Sequence, residues 1–146
     1  RYQFQWWALS LINARPYGDK KKGADTGIDG YIYFPLSKTD FGKIIVSVKS
    51  GKVSVKDIRD LVGVMERENA KIGIFITLEK PTKNMKTEAI KQGFFIHPLS
   101  SKQYQRLQII TIEELLNGKR PEIPQVSPDV FIKKASSGIE NIDFDY

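Results

Sequence analysis

The sequence predicts an α/β domain, a mixed β-sheet flanked by α-helices. Three observations carry that prediction. Short runs rich in Ile, Val, Tyr and Phe, at 28–34, 43–49, 71–78 and 108–111, have strand composition. Between them lie stretches with apolar residues at i, i+3, i+4 and i+7, the rhythm of one helix face. The order along the chain is helix, hairpin, helix, strand, helix, short strands and helix, which gives a sheet with helices packed on it.

Residues 2–14 (YQFQWWALSLINA) place Phe4, Trp7 and Leu11, with Leu9 and Ile12, at helical spacing, and the helix is expected to end before Pro16. Trp6 and Trp7 are adjacent and cannot share a face. One is expected in the core and the other near its boundary. Residues 15–27 form a loop with Gly18, the run Lys20-Lys21-Lys22, Gly23 and Gly27.

The run 28–34 (IDGYIYF) is a strand with Asp29, Tyr31 and Tyr33 on one side and Ile28, Ile32 and Phe34 on the other. A turn from Pro35 to Gly42 leads to a second strand, 43–49 (KIIVSVK), on which Ile45, Ser47 and Lys49 share a face. Pairing the two symmetrically about position 39 sets Asp29 opposite Lys49 and Tyr31 opposite Ser47. Ser54 and Asp57 then form a capping-box-like start, followed by Val55, Ile58, Leu61, Val62 and Met65 as a buried stripe.

Residues 71–78 (KIGIFITL) suit a strand buried on both faces. A helix over 83–92 stops at Gly93, and short strands follow at 94–97 and 108–111. His97 is expected to be packed or at the surface, not a ligand, because the chain has no second histidine. Thr111 caps a last helix, with Glu114 three residues on and Gly118 as its stop. Beyond it, Pro121, Pro124 and Pro128 mark a tail or interdomain linker over 119–146.

Composition narrows the chemistry. The 146 residues suit one domain, with 40% hydrophobic and 27% charged residues. No run of about 18 apolar residues is present, so no membrane span is expected, and the absence of cysteine fits a cytoplasmic location. There is no cysteine, which excludes thiolate metal sites and cysteine nucleophiles. A resident metal would be a hard ion such as Mg²⁺ or Mn²⁺ held by oxygen. Net charge is +6, and residues 119–146 hold four basic and five acidic residues, which leaves +7 on residues 1–118. A basic body of this kind points toward a polyanion, most simply nucleic acid.

The hairpin is where chemistry would sit. Hydrolysis of a phosphodiester needs a cation to offset phosphate charge and acidify a water, and it benefits from a lysine near the developing charge. Asp29 supplies a hard ligand and Lys49 an ammonium. Asp25 is either a second carboxylate or the cap of its own turn. Lys20, Lys21 and Lys22 upstream, and Lys52, Lys56 and Arg59 downstream, are the candidate phosphate contacts.

The stretch GADTGIDGYIYF…KIIVSVKSGKVSVKDIRDLVGVMERENAKIGIFITLEKPT resembles the nuclease domain of Mrr-type restriction endonucleases of the PD-(D/E)XK superfamily, some of them fused to DNA methyltransferases. The resemblance covers residues 1–118. It implies a restriction-endonuclease-like fold, a hairpin that carries the site, and Mg²⁺-dependent cleavage of double-stranded DNA with Mn²⁺ as a possible substitute. It also implies a methyltransferase or specificity domain in the parent chain and a possible homodimer. Asp29 matches the metal-binding aspartate, Lys49 the motif lysine, and the Val48 carbonyl a backbone ligand. Position 47, where the family carries Glu, Asp or Gln, is Ser47, and Gln3 and Gln5 stand where a first-helix acid is often found. The expectation is a Mg²⁺-dependent endonuclease domain of a restriction-modification system. The alternative is a weakened or inactive nuclease-fold DNA-binding module, and an engineered inactive variant is a further reading.

Overall fold

The computed structural model describes residues 2–17 and 27–124. Gly18, Lys20, Lys21, Lys22, Gly23, Asp25 and the tail beyond Pro124, including Pro128, lie outside the described residues.

Helix α1 (Tyr2–Leu11) ends as Asn13 adopts φ 58° and the Ala14 N–H reaches back to the Leu9 carbonyl at 3.0 Å. Its buried face is Ala8 and Leu9, continued by Ile12, with Phe4 and Leu11 partly buried. Both tryptophans face outward, Trp6 47% and Trp7 42% exposed, so the expectation that one lies in the core is corrected. More apolar residues line α1 than one face can bury. The small Ala8 lets the helix sit close on the sheet along its own side and leaves the indoles outside.

The main sheet runs β1 (Arg15–Pro16), β2 (Gly30–Pro35), β3 (Phe41–Lys49), β4 (Ile72–Thr77) and, at its far edge, β7 (Leu107–Thr111). The first three pair antiparallel, and β3–β4 and β4–β7 pair parallel. Helices α2 (Val55–Glu68) and α3 (Lys83–Ile90) cover one face. There Ile58, Leu61, Met65, Met85 and Ala89 pack on Ile45, Phe75 and Leu107. Helices α1 and α4 (Ile112–Leu116) cover the other, on Ile32, Phe34, Ile44, Val46, Ile74 and Ile110. All six residues of β4 are buried, as expected of a strand between two helical layers. Gly73 lets Met65 close on β4, since a Cβ there would stand 2.5 Å from the Met65 sulfur.

The β2–β3 register differs from the expected one by two residues. Tyr31 lies opposite Ile45 and Gly30 opposite Val46. The turn is centred on Lys38, not position 39. The Leu36 N–H bonds the Asp40 carbonyl at 2.8 Å, and Ser37 Oγ accepts the N–H groups of Thr39 and Asp40. A slip of two preserves the side on which every residue falls, so Tyr31, Tyr33, Ser47 and Lys49 keep their common face. Ile28 is an exception to the expected alternation. It lies before β2, after Gly27 at φ 78°, and packs with Ile58 and Leu61 on the α2 side.

A separate two-stranded sheet, β5 (Phe94–Ile96) with β6 (Gln103–Gln105), was not expected as a pair. The run 103–105 is polar and carries no strand pattern of its own. His97 is buried beside it. Its Nδ1 accepts the Leu99 N–H at 3.1 Å, which leaves Nε2 as the donor to the Pro35 carbonyl at 2.8 Å. Residues 119–122 lie along the body, with the Gln108 side chain bonding both the N–H and the carbonyl of Glu122. No helix of the described residues is long and apolar enough to cross a membrane.

Candidate functional site

Asp29 stands at the step where the β2–β3 ladder ends. Its N–H donates to the Val46 carbonyl at 2.9 Å, and its carbonyl accepts the Tyr17 N–H at 2.9 Å. Its carboxylate Oδ2 accepts the Val48 N–H at 2.7 Å. β2 has stopped at Gly30 while β3 continues to Lys49, so the even-numbered amides of β3 lose their neighbour there. The Asp29 side chain takes the place of the missing strand. This is a charge-assisted bond to a backbone donor of a residue that is itself buried.

Gly30 makes the geometry possible. A Cβ at that position would stand 2.5 Å from Leu9 of α1 and 2.8 Å from the Arg15 carbonyl.

Lys49 does not face Asp29 as its partner. Its Nζ donates to Asp57 Oδ1 at 2.7 Å, with the lysine side chain 46% exposed and that of Asp57 mostly covered. Asp57 Oδ2 accepts the Ser54 N–H at 2.8 Å, so one carboxylate caps the start of α2 and binds the end of β3. The expected opposition of Asp29 and Lys49 is corrected accordingly. The two-residue slip moves Lys49 beyond the hairpin ladder, to the stretch of β3 that pairs with β4 alone, where a helix start supplies the nearest acid. Asp57 was legible as a cap, and the sequence carried no signal for its second bond.

Ser47 and Val48 precede Lys49 on β3, with Ser47 half-buried on the α2 side. Continuing the ladder past Gly30 sets Ser47 beside Asp29. The Val48 carbonyl leaves the strand on the same edge as its N–H, toward Asp29. The donor set at this point is thus one carboxylate already engaged by a backbone N–H, one hydroxyl and one carbonyl. Among the described residues no three His, Asp or Glu side chains converge to hold an ion. This set is poor in carboxylate for a resident divalent cation such as Mg²⁺, which takes one or two carboxylates together with waters and substrate oxygens.

The downstream cations are partly spoken for. Lys56 donates to Asp60 at 2.9 Å, and that hydrogen bond holds its ammonium above the ordinary range. Arg59 lies 3.9 Å from Glu88, which Lys91 also approaches at 3.8 Å. Lys52 is exposed and makes no ion pair among the described residues. A cleft of about 760 Å³ lies elsewhere, between α3, β7 and residues 119–122, and neither Asp29 nor Lys49 lines it.

Over residues 3–117 the chain matches a family described as NACHT-associated inactive Restriction Endonuclease 1. The chain belongs to this family. The restriction-endonuclease-like fold is therefore that of the family, whose description also marks its members as inactive and as associated with NACHT. No curated protein matches the chain. Asp29 and Lys49, the residues expected to carry chemistry, are bonded to the scaffold, Asp29 to a strand backbone and Lys49 to a helix cap.

Proposed function

We propose that the chain is a catalytically inert restriction-endonuclease-fold module that binds duplex DNA within a larger NACHT-associated protein. The observation that carries the inert reading is the donor set at the end of β3. Ser47 stands where Glu, Asp or Gln is expected, and Asp29 Oδ2 accepts the Val48 N–H. The family description points the same way. Duplex binding is supported by the charge of +7 on residues 1–118 and by Lys52, Lys56 and Arg59 around the start of α2. Residues 1–118 form the module and 119–146 its connection to the rest of the protein. A NACHT-bearing neighbour takes the place of the methyltransferase expected from the Mrr resemblance, which the family description does not mention.

Supercoiled plasmid incubated with the protein in Mg²⁺ and then Mn²⁺ tests the inert reading. Wild type, Asp29→Ala and Lys49→Ala are expected to leave the plasmid equally intact. Nicking by wild type that disappears in Asp29→Ala would establish an active site there and overturn the proposal. Binding of a labelled duplex across a salt series tests the second half. Lys52→Ala is expected to weaken binding and to flatten the salt slope by about one unit, the value of one phosphate contact. An absence of duplex binding at low salt would leave a protein-docking role instead.

A further inference from the structure

The α2-facing side of the sheet is not wholly covered by α2. Along β1 and β2 it carries a grid of aromatic and basic side chains. The register sets Arg15 opposite Tyr31 and Tyr33 opposite Lys43, and the Tyr17 N–H···Asp29 carbonyl bond continues the same alternation one step further. Arg15, Tyr17, Tyr31, Tyr33 and Lys43 therefore share one face. Lys71 joins them at the start of β4, where its N–H bonds the Lys43 carbonyl.

The three tyrosines form a continuous row, with ring centroids 6.3 Å apart for Tyr17–Tyr31 and 5.2 Å for Tyr31–Tyr33, each pair edge-to-face. Tyr33 closes the row 47% exposed, a large ring with an open side. The Lys43 ammonium is held above its ordinary value chiefly by its hydrogen bond to Glu68.

Tyr17 packs against the core under α2, whereas Tyr33 projects beyond it with its ring half-exposed. The charges on and beside the strip are Arg15, Lys43, Arg67 and Lys71 against Glu68 and the Val48-bonded Asp29, an excess of basic groups. Aromatic rings interleaved with cations on a sheet face are the features that hold a single strand, whose bases stack on the rings while its phosphates meet the cations.

We infer that this strip, ending at the open ring of Tyr33, is a binding surface for single-stranded DNA. The stacking argument does not depend on duplex binding at the start of α2. Only the choice of DNA over RNA rests on the function proposed above.

The test uses fluorescence anisotropy with labelled oligothymidylate of about 12 nucleotides, a length within the site sizes of such surfaces. The matching duplex and oligouridylate serve as further arms. Tyr33→Ala is expected to weaken oligothymidylate binding about tenfold, the loss of one stacked base, with the salt slope unchanged because no phosphate contact is removed. Tyr33→Trp should bind at least as tightly as wild type. Lys43→Ala should flatten the slope. The duplex affinity of Tyr33→Ala should match wild type.

Oligothymidylate affinity equal in wild type and Tyr33→Ala would overturn the inference, as would no single-strand binding at low salt. Tighter binding of oligouridylate would overturn the assignment to DNA. Loss of duplex binding alone, with the single-strand results intact, would count against the function proposed above and not against this surface.

Discussion

Replacing Asp29 with alanine separates a structural carboxylate from a catalytic one by the sign of its effect on stability. In the folded chain Asp29 Oδ2 accepts the Val48 N–H at 2.7 Å, and Val48 is buried. Alanine leaves that N–H without an acceptor at the point where β2 no longer supplies one. An unsatisfied buried donor costs about 1–3 kcal/mol, and the lost bond was charge-assisted, so a central figure is about 2 kcal/mol. For a body of this size each kcal/mol moves the melting temperature by roughly 3–6 °C, giving a fall of about 6–12 °C. Asp29→Asn, which retains an acceptor oxygen, should lose less than half of that.

The assay is thermal unfolding followed by circular dichroism, with urea unfolding to supply the free energy. A carboxylate kept for metal chemistry is expected to behave in the opposite sense, since unliganded catalytic acids are commonly a burden on stability. Melting of Asp29→Ala at or above the wild-type temperature would therefore refute the reasoning. So would a rise of several degrees in wild type on adding Mg²⁺, because a resident ion stabilises the state that binds it.

The remaining predictions concern the ties around the site and the two helix caps. A double-mutant cycle of Lys49→Met and Asp57→Asn should give a coupling of about 1 kcal/mol or less, shrinking at high salt, because the lysine is substantially exposed. Asp57→Ala alone should cost more than Lys49→Met, since it also removes the acceptor of the Ser54 N–H at the start of α2. The Lys43–Glu68 pair, 3.0 Å apart, holds the Glu68 carboxyl below its ordinary 4.5 and the Lys43 ammonium above its ordinary 10.5, in each case chiefly through their shared hydrogen bond. Its contribution should be full between those two values. It should fade as pH falls through the folded value of Glu68 and as pH rises through that of Lys43. A stability difference between wild type and Glu68→Gln that does not narrow in acid would contradict this. Glu114→Gln should destabilise by about 0.5–1 kcal/mol near neutral pH, read by urea unfolding, because the Thr111 N–H and Lys119 both favour its charged form.

Much of the fold was legible before any coordinates. The apolar stripe of α2 and the unbroken apolar run of β4 each admit one reading, because burial on one face or on two leaves different periods in a sequence. The hairpin was legible as a hairpin, but its register was not. Two candidate turn centres one residue apart shift every pairing by two, and both leave the same residues inside. That ambiguity is why Tyr31, Tyr33, Ser47 and Lys49 were placed correctly by face and Asp29 and Lys49 incorrectly as a pair. Trp6 and Trp7 failed for another reason: helical spacing counts apolar residues without asking which of them the sheet can receive. The tie between Lys49 and Asp57 joins a strand end to a helix start across a five-residue loop, and local pattern does not encode such a meeting. Ser47 was readable as a departure from the family's chemistry, as were Gln3 and Gln5, since a hydroxyl or an amide at such a position is visible in the letters themselves.

The crowding at Gly30 reaches beyond the hairpin. Leu9 belongs to the helix on the side of the sheet that bears neither Ser47 nor Lys49, yet together with the Arg15 carbonyl it bars a side chain from position 30. The seat of α1 thus decides how closely β2 can lie at its first residue, and through the next peptide how Asp29 meets Val48. A bulkier residue at 30 would have to lift the helix or peel back the strand, and either movement draws the carboxylate away from the backbone it completes. Control over this corner is exercised in part from the reverse side of the sheet, so a perturbation of α1 would be felt at the Asp29 carboxylate.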